Sequence, residues 1–427
     1  MGRQSVCFWW CYQTVKVLVS AYACEPGKGS EPEVGWQWVQ QIARFHETWV
    51  ITRENNRLLI EQNFKSKSNP NLHFVYIDLP PWTRFWKKGR RGVHLYYYLW
   101  QIIAYRHAFA LSKRVHFDLT HHITFINMYM GPWIALLPVP FVWGPIGANP
   151  DIPKQFYQLI GSSGIKDNRL RYAIRKISPL TDPMISLARK KAKLILTINE
   201  EVGSRLEETY ATKSLSISQN AIDKEILAEK AKSFHYPLKI LSVGQLVSIK
   251  GYRLSLAAFA KHLSVHPKST LEIIGTGPQK NELVKFASEL GVFKSVIFLG
   301  QISRDKVFQA MQEESNVFFF PSFEGAGMVV IEAMAKGLPV VCLDFGGPGE
   351  YVTEECGIKV ALTKPEAVIQ GLADALSRLA SDPALYERLS AGAIKRVREH
   401  YLWDRVGDRL NALYEEVRAE EAGRVRG

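Results

Sequence analysis

Two glutamates that stand eight positions apart, Glu324 and Glu332, flank the segment of the chain most suited to chemistry. Gly325 and Gly327 follow the first glutamate and let the backbone approach a ligand without side-chain interference. A helix is predicted to begin in this loop, and eight residues correspond to about two helical turns. The two carboxylates are therefore poorly placed to act on one atom as a catalytic pair. Their spacing favours an elongated ligand, with one carboxylate at each end.

The start of the predicted helix suits an anion, because its first amides lack partners within the helix and the helix dipole is positive there. The amides expected to contact the anion are those of Gly325, Ala326, Gly327 and Met328. A nucleoside diphosphate sugar, which has a charged middle and two polar ends, fits this arrangement.

The wider pattern of residues 321–341 is Pro-Ser-x-x-Glu-Gly-x-Gly, followed by Glu-Ala-Met-Ala-x-Gly-x-Pro-Val-Val. It resembles the donor site of retaining family-4 glycosyltransferases with the GT-B fold. The resemblance implies an α/β protein whose two Rossmann-like, doubly wound domains face a central cleft. It also implies that Glu332 binds the nucleotide ribose, and that Glu324 binds the donor sugar and is a candidate catalytic residue. A glycine-rich turn in an unrelated α/β domain is the alternative interpretation.

A motif in residues 244–251 follows the first predicted strand of the C-terminal half. In the resembling enzymes an Arg and a Lys at its second and seventh positions hold the donor diphosphate. Lys250 occupies the seventh position, whereas Gln245 replaces the Arg and brings no charge. The sequence contains no Asp-x-Asp pair, so neither a metal nor a further cofactor is expected. A solvated lysine at a helix start is the alternative for Lys250.

Two more glycine-rich turns follow predicted strands. Residues 275–278 read Gly-Thr-Gly-Pro, and the resemblance places Gly277 in the loop on the nucleotide side, although a plain turn fits equally well. Residues 346–350 read Gly-Gly-Pro-Gly-Glu and resemble the Gly-Gly-x-x-Glu loop of the same enzymes.

In the N-terminal half, residues 25–32 join the first predicted strand to its helix. Gly29 and Ser30 offer backbone and hydroxyl donors to a phosphate or sugar from the opposite wall of the cleft. The Gly-Ser-Glu-Pro sequence here resembles a bacterial family-4 subgroup. Glu31 either contacts the acceptor or caps the helix, and the sequence favours capping.

Two histidines, His121 and His122, end another predicted strand within the pattern His-His-x-Thr-Phe. Neighbouring residues of a strand point to opposite faces, so at most one of the two can reach the cleft directly. Similar glycosyltransferases place a histidine at this strand end, near the reacting carbon of the sugar. The sequence favours His122 slightly over His121, and a hydrogen-bonded structural histidine is the alternative for each.

Short apolar runs alternate with helical patterns along the chain, which predicts parallel sheets covered on both faces. We expect an N-terminal, acceptor-side Rossmann-like domain at residues 14–218, a linker at 219–237, and a nucleotide-sugar-binding Rossmann-like domain at 238–400. The resemblance implies that a helix at 401–420 crosses back to the first domain. An ordinary last helix of the second domain fits the sequence equally well.

The 427 residues carry a formal net charge of +13 and a pI near 9.4, which indicates anionic partners. No nucleic-acid recognition motif is present, so we expect nucleotide sugars and anionic membrane headgroups rather than nucleic acid. The five cysteines are odd in number and widely spaced, which favours reduced thiols in the cytoplasm.

Membrane contact is predicted to be peripheral. Residues 82–91 mix basic and aromatic side chains, which suits an anionic membrane surface at the inner face, although a solvated loop has equal weight. The uncharged segment 123–150 is interrupted by prolines and glycines, so no spanning helix is expected. Residues 1–13 lack the pattern of a signal peptide.

The expected activity is transfer of a sugar from a nucleoside diphosphate donor to a hydroxyl acceptor, with retention of configuration. The acceptor is expected to be a polysaccharide or lipid-linked. A nucleotide-sugar epimerase or a phosphorolytic enzyme with the same GT-B fold is the alternative enzyme. A non-enzymatic module that binds sugar or nucleic acid is less favoured, because it has no need of paired carboxylates at a helix start.

Overall fold

The computed structural model describes residues 15–426 apart from 67, 85, 87–91, 126 and 211–213. Two parallel sheets organise the described chain. Each strand is a short apolar run buried by helices on both faces, as in doubly wound α/β domains.

The first sheet has seven parallel strands in the order β3-β2-β1-β4-β5-β6-β7. The strands are β1 Lys16–Ser20, β2 Glu47–Arg53, β3 Leu72–Ile77, β4 Leu119–His122, β5 Phe141–Ile146, β6 Ala192–Thr197 and β7 Leu215–Ser216. The accompanying helices are α1 Ser30–Ala43, α2 Arg57–Ser66, α3 Val93–Ser112, α4 Tyr157–Thr181, α5 Pro183–Lys191 and α6 Glu200–Tyr210.

The second sheet has six parallel strands in the order β10-β9-β8-β11-β12-β13. The strands are β8 Lys239–Val243, β9 Thr270–Ile274, β10 Val296–Gly300, β11 Val317–Phe320, β12 Val340–Asp344 and β13 Gly357–Ala361. The remaining helices are α7 Tyr252–Val265, α8 Lys280–Glu289, α9 Arg304–Gln309, α10 Met328–Ala335, α11 Gly346–Tyr351, α12 Pro365–Ser381, α13 Pro383–His400 and α14 Trp403–Arg426.

Each sheet reverses its strand order once, between β1 and β4 in the first and between β8 and β11 in the second. Ligands of open α/β sheets bind at such switch points, beyond the carboxyl ends of the strands. The loops after these four strands contain most of the residues selected from the sequence. The prediction of two Rossmann-like, doubly wound domains is confirmed.

The last helix, α14, lies against the first domain. Trp403, Leu410 and Tyr414 are buried in the same apolar cluster as residues of β1 and α1. On the surface, Arg44, which directly follows α1, forms ion pairs with Asp404 and Asp408. The chain therefore runs from the second domain back onto α1.

Within the described residues, no helix combines the length and apolar character that a membrane span requires. The loop predicted at residues 346–350 is instead the first part of the short helix α11. Of the basic and aromatic segment 82–91, residues 85 and 87–91 lie outside the described residues, and Trp82 is exposed.

Candidate active site between the two domains

A cavity of about 510 Å³ lies between the two domains at their switch points. The first domain contributes Gly29, Glu31 and Asn149 to its wall. The second domain contributes two cation–carboxylate pairs and the start of α10. A larger cavity of about 900 Å³ lies among α12, α13 and β13 and contains none of the site residues selected from the sequence.

The first pair joins Lys250 to Glu324 across the loops that follow β8 and β11. Lys250 Nζ lies 2.5 Å from Glu324 Oε2, and both side chains are largely buried. Burial raises the pKa of Glu324, against the lowering effect of the Lys250 ammonium. Glu324 Oε1 is buried and has no hydrogen-bond partner among the described residues. It is therefore available to accept a hydrogen bond from a ligand hydroxyl.

The position of Lys250 is fixed by the tight turn that follows it. Gly251 has φ +69°, and a Cβ there would lie 2.1 Å from the carbonyl oxygen of Pro321. The glycine thus lets the end of one loop pack directly on the end of β11. The ammonium of Lys250 also lies 4.9 Å from the centre of the Phe320 ring.

The second pair joins Arg304, the first residue of α9, to Glu332 of α10. Arg304 Nη2 lies 2.8 Å from Glu332 Oε1, and the arginine side chain is half exposed. Arg304 is not among the residues selected from the sequence. Its only signal is its place soon after the carboxyl end of β10, since no recognised motif includes it. Arg304 brings a second cation to the cavity. The motif of residues 244–251 supplies only Lys250, because Gln245 stands where the resembling enzymes have an arginine.

The start of α10 is held against the first domain. The amide of Gly325 donates to Asn149 Oδ1 at 3.2 Å, and the carbonyl of Gly325 accepts from Asn199 Nδ2 at 2.8 Å. The Gly325 amide is thus engaged, whereas Ala326, Gly327 and Met328 line the cavity. Three of the four amides predicted to bind an anion, those of residues 326–328, therefore belong to residues that line the cavity.

Two predicted donor-binding residues do not line the cavity. The Gln245 side chain is exposed and is absent from the cavity wall. A Cβ at Gly277 would lie 2.4 Å from the carbonyl oxygen of Leu246, so this glycine packs two loops together. Close backbone packing, rather than ligand approach, explains the glycine at position 277.

The wall from the first domain is formed by the loop after β1. Gly29, with φ +70°, lines the cavity, and Ser30 begins α1. Glu31 was expected to cap its helix, but its carboxylate instead accepts the amide of Phe125 at 2.7 Å. Burial raises the pKa of Glu31, and the hydrogen bond from the Phe125 amide opposes that rise. Glu31 thus ties the loop after β4 to the wall of the cavity.

The two histidines of β4 point into opposite cores, as their adjacent positions require. The ring of His121 accepts from Tyr414 Oη at 2.6 Å and donates from Nε2 to the Gly144 carbonyl at 2.8 Å. His122 Nε2 lies 2.7 Å from Tyr97 Oη, and its Nδ1 has no partner among the described residues. Neither ring belongs to the cavity wall. The contacts of His121 are those of a structural histidine, and a contact of His122 with the sugar stays a prediction.

Burial lowers the pKa of His121 and of His122 to about 3. Each folded-state pKa therefore lies below that of the unfolded chain, near 6.5, so the unfolded chain binds more protons as the pH falls below that value. We expect the free energy of unfolding to fall from about pH 6.5 downward, by at most about 1.4 kcal/mol per pH unit for each histidine.

Urea unfolding across this pH range measures the slope. His121→Gln should reduce the slope of the free energy of unfolding against pH by the contribution of about one proton. The same change at the exposed His107 should leave the slope unaltered. A slope that is the same in the His121 variant as in the wild type would contradict the expectation.

Glu350, from the glycine-rich segment 346–350, bridges the domains instead of facing the cavity. Its carboxylate accepts the amide of Glu200 at 2.9 Å and the hydroxyl of Ser216 at 3.3 Å. It holds α11 against the start of α6, and so fixes the relative position of the two domains.

The fold and the site define a two-domain α/β protein of the GT-B class with a charged cavity between its domains. Residues 223–396 match the family model described as Glycosyl transferases group 1. This segment contains Lys250, Arg304, Glu324 and Glu332, that is, both ion pairs of the cavity.

Known proteins resemble the chain in sequence over less than half of its length and in fold over nearly all of it. An uncharacterized glycosyltransferase of Methanocaldococcus jannaschii is 33% identical over 187 residues, which cover 43% of this chain and 46% of that protein. The chain thus spans less than half the length of this curated relative. The sucrose-phosphate synthase structure from Thermosynechococcus elongatus has a TM-score of 0.66 at 18% identity, covering 95% of this chain and 100% of that one. HepE of Anabaena in complex with UDP-glucose has a TM-score of 0.59 at 15% identity, covering 94% and 99%.

Proposed function

We propose that this protein is a glycosyltransferase that moves a sugar from a nucleoside diphosphate donor to a hydroxyl acceptor. One observation carries the proposal: the cavity contains, along one wall, the Glu324–Lys250 pair, the start of α10 and the Arg304–Glu332 pair. The two carboxylates stand at the ends of this row, with cations and amides between them. A donor sugar would place its hydroxyls at one carboxylate, its diphosphate at the cations and amides, and its ribose hydroxyls at the other carboxylate. HepE, which shares the fold, holds UDP-glucose in its crystal structure, so a uridine diphosphate sugar is the first donor to test.

In this arrangement Glu332 accepts hydrogen bonds from the ribose, and Glu324 accepts them from the donor sugar through Oε1. Lys250 and the amides of residues 326–328 bind the diphosphate, and Arg304 adds a second cation beside Glu332. We propose that these groups replace a metal ion, since positive charge and amide donors already surround the place of the diphosphate.

During transfer, the bond between the anomeric carbon and the diphosphate oxygen breaks, and the acceptor oxygen bonds to that carbon. As that bond breaks, negative charge develops on the departing diphosphate oxygen, which receives the proton of the acceptor hydroxyl. Lys250 and the amides stabilise this charge, which is worth about 3–4 kcal/mol for one preorganised donor.

We further propose that the configuration of the sugar is retained, on the strength of the pattern of residues 321–341 and its resemblance to retaining enzymes. Proton NMR of the product gives the anomeric configuration directly. An inverted product would exclude retention, and a free sugar epimer without transfer would favour the epimerase.

We propose polysaccharide or glycolipid assembly in the cytoplasm as the setting. The described cysteines Cys24, Cys342 and Cys356 are buried free thiols, which fits a reducing compartment. The excess of positive charge fits an acceptor with an anionic or membrane-bound carrier.

A thermal-shift panel of nucleotide sugars tests the donor site. We expect one donor class to raise the melting temperature of the wild type by about 5 °C at a hundredfold excess over its Kd. Glu332→Ala should lose most of this shift, because the ribose loses its acceptor. The matched control is Glu282→Ala, which removes a carboxylate that pairs with Arg253 at 2.6 Å on the same domain but away from the cavity. Equal shifts in the Glu332 variant and the wild type would contradict the assignment.

A further inference from the structure

Helix α4 changes its surroundings halfway along. It bends at Gly161, where φ is +70°, and its first part packs on the second domain. Ile160 is fully buried there, and the buried side chain of Asn168 bonds to the backbone of Ile152. From Arg169 onward the described side chains are exposed or half-buried. The second half of the helix is thus largely exposed to solvent between two anchored ends, Asn168 and the buried Asp182.

This exposed half carries a row of apolar side chains that nothing covers among the described residues. Leu170, Ile174 and Ile177 are 60%, 44% and 56% exposed. Their spacing of four and three residues places them on one face of the helix. Single exposed apolar residues are ordinary on a protein surface, but a contiguous row marks an interaction surface.

The same half of the helix is strongly basic. Residues 169–181 contain four basic residues, Arg169, Arg171, Arg175 and Lys176, and no Asp or Glu. At 100° per residue, Arg169, Arg171 and Lys176 lie about 80–120° around the helix from Leu170 and Ile177, that is, on the two flanks of the apolar row. The result is an amphipathic helix whose apolar face is bordered by basic residues.

A further exposed apolar side chain lies on a neighbouring helix. Tyr98 of α3 donates to Asp182, which directly follows α4, so the first turns of α3 lie beside the end of α4. Leu95, one turn before Tyr98 on the same side of α3, is 56% exposed. An exposed apolar residue thus lies one helical turn from the contact between α3 and the end of α4.

We propose that this face of α4 docks in the plane of an anionic lipid bilayer, with Leu170, Ile174 and Ile177 among the acyl chains and the basic residues at the headgroups. Amphipathic helices with basic polar faces bind anionic bilayers in this way. A second copy of the chain is a poorer occupant, because residues 169–181 contain basic but no acidic residues, and pairing two copies of this segment would bring like charges together. The inference stands independently of the proposed glycosyl transfer.

Vesicle flotation tests the docking, with phosphatidylcholine alone and with phosphatidylcholine mixed with phosphatidylglycerol. We expect the wild type to float with the mixed vesicles and to detach as salt is raised. Replacing two apolar residues, Ile174→Ser with Ile177→Ser, should lower the partition coefficient about tenfold, or about 1.4 kcal/mol. Arg169→Glu with Lys176→Glu should weaken binding to the mixed vesicles by a similar factor.

The matched control is Ile297→Ser with Leu299→Ser on β10, where the two side chains are 42% and 43% exposed. This variant should float like the wild type. Unchanged flotation of the Ile174/Ile177 variant would overturn the proposal, as would a wild type that does not bind to either kind of vesicle. A wild-type dimer that the Ile174/Ile177 variant abolishes, without lipid binding, would assign the face to a second copy instead. The melting temperature of each variant shows that it is folded. The shift of that temperature with a nucleotide sugar tests the donor site separately, so a failure of membrane docking can be told apart from a failure of the donor site.

Discussion

Replacing Lys250 with methionine is expected to lower kcat by about 10²–10³-fold, because it removes the cation that meets the charge of the departing diphosphate. Methionine keeps the length and much of the packing of the lysine stem. The loss should therefore fall on the chemical step rather than on the fold. The measurement is steady-state transfer with the donor identified by the thermal-shift panel.

The variant also changes the state of its neighbour. Lys250 lies 2.5 Å from Glu324 and lowers the pKa that burial of this glutamate raises. Without the ammonium, the pKa of Glu324 rises further and the protonated form becomes more populated. Lys250→Arg, which keeps a positive charge, should recover part of the activity that methionine loses, although its planar group fits a different geometry.

The matched control is Lys359→Met. Lys359 Nζ pairs with Asp344 at 2.7 Å on the same domain but outside the cavity. This variant therefore loses an ion pair but no side chain that lines the cavity. We expect its kcat to equal that of the wild type. If Lys250→Met kept kcat within a factor of about three, Lys250 could not be the main stabiliser of the leaving group.

The sequence predicts the fold well because both sheets are built from short apolar runs. The run Val317–Phe320 forms a strand with the bounds read from the sequence, and all four side chains are buried. In parallel sheets such strands are covered on both faces, so an uninterrupted apolar run is itself the signal. The glycine-rich loops that follow them lie at the carboxyl ends of the strands, and Glu324, Lys250 and Glu332 come together there for that reason.

The sequence gives no access to contacts between residues that are far apart in the chain. His121 pairs with Tyr414, which is 293 positions away, and this partner turns the histidine from a cleft candidate into a core residue. Arg304 reaches the cavity because α9 starts beside α10, a placement that depends on sheet order rather than on a motif. Gln245 and Gly277 occupy motif positions but face solvent or a neighbouring loop. Motif position fixes the loop, whereas packing fixes the direction of each side chain.

Gly325→Ala is expected to lower kcat by about 100-fold, because it separates the two walls of the cavity. The backbone of Gly325 tolerates a side chain, but a Cβ would lie 2.2 Å from the carbonyl oxygen of Ala148 in the first domain. The extra methyl must therefore displace residues 148–150 or the start of α10. The contacts of Gly325 with Asn149 and Asn199 would weaken at the same time. Turnover is measured beside donor affinity by titration.

Donor affinity should change much less than turnover, because Lys250, Arg304, Glu324 and Glu332 all belong to the second domain and move together. The acceptor wall with Gly29 and Glu31 belongs to the first domain, so a wider cleft moves the acceptor away from the donor sugar. The control is Gly423→Ala in α14, where a Cβ meets no atom within 4 Å and both parameters should stay at wild-type values. Full turnover in Gly325→Ala would mean that the close approach of residues 148–150 to α10 is dispensable, and that the second domain alone positions both reactants.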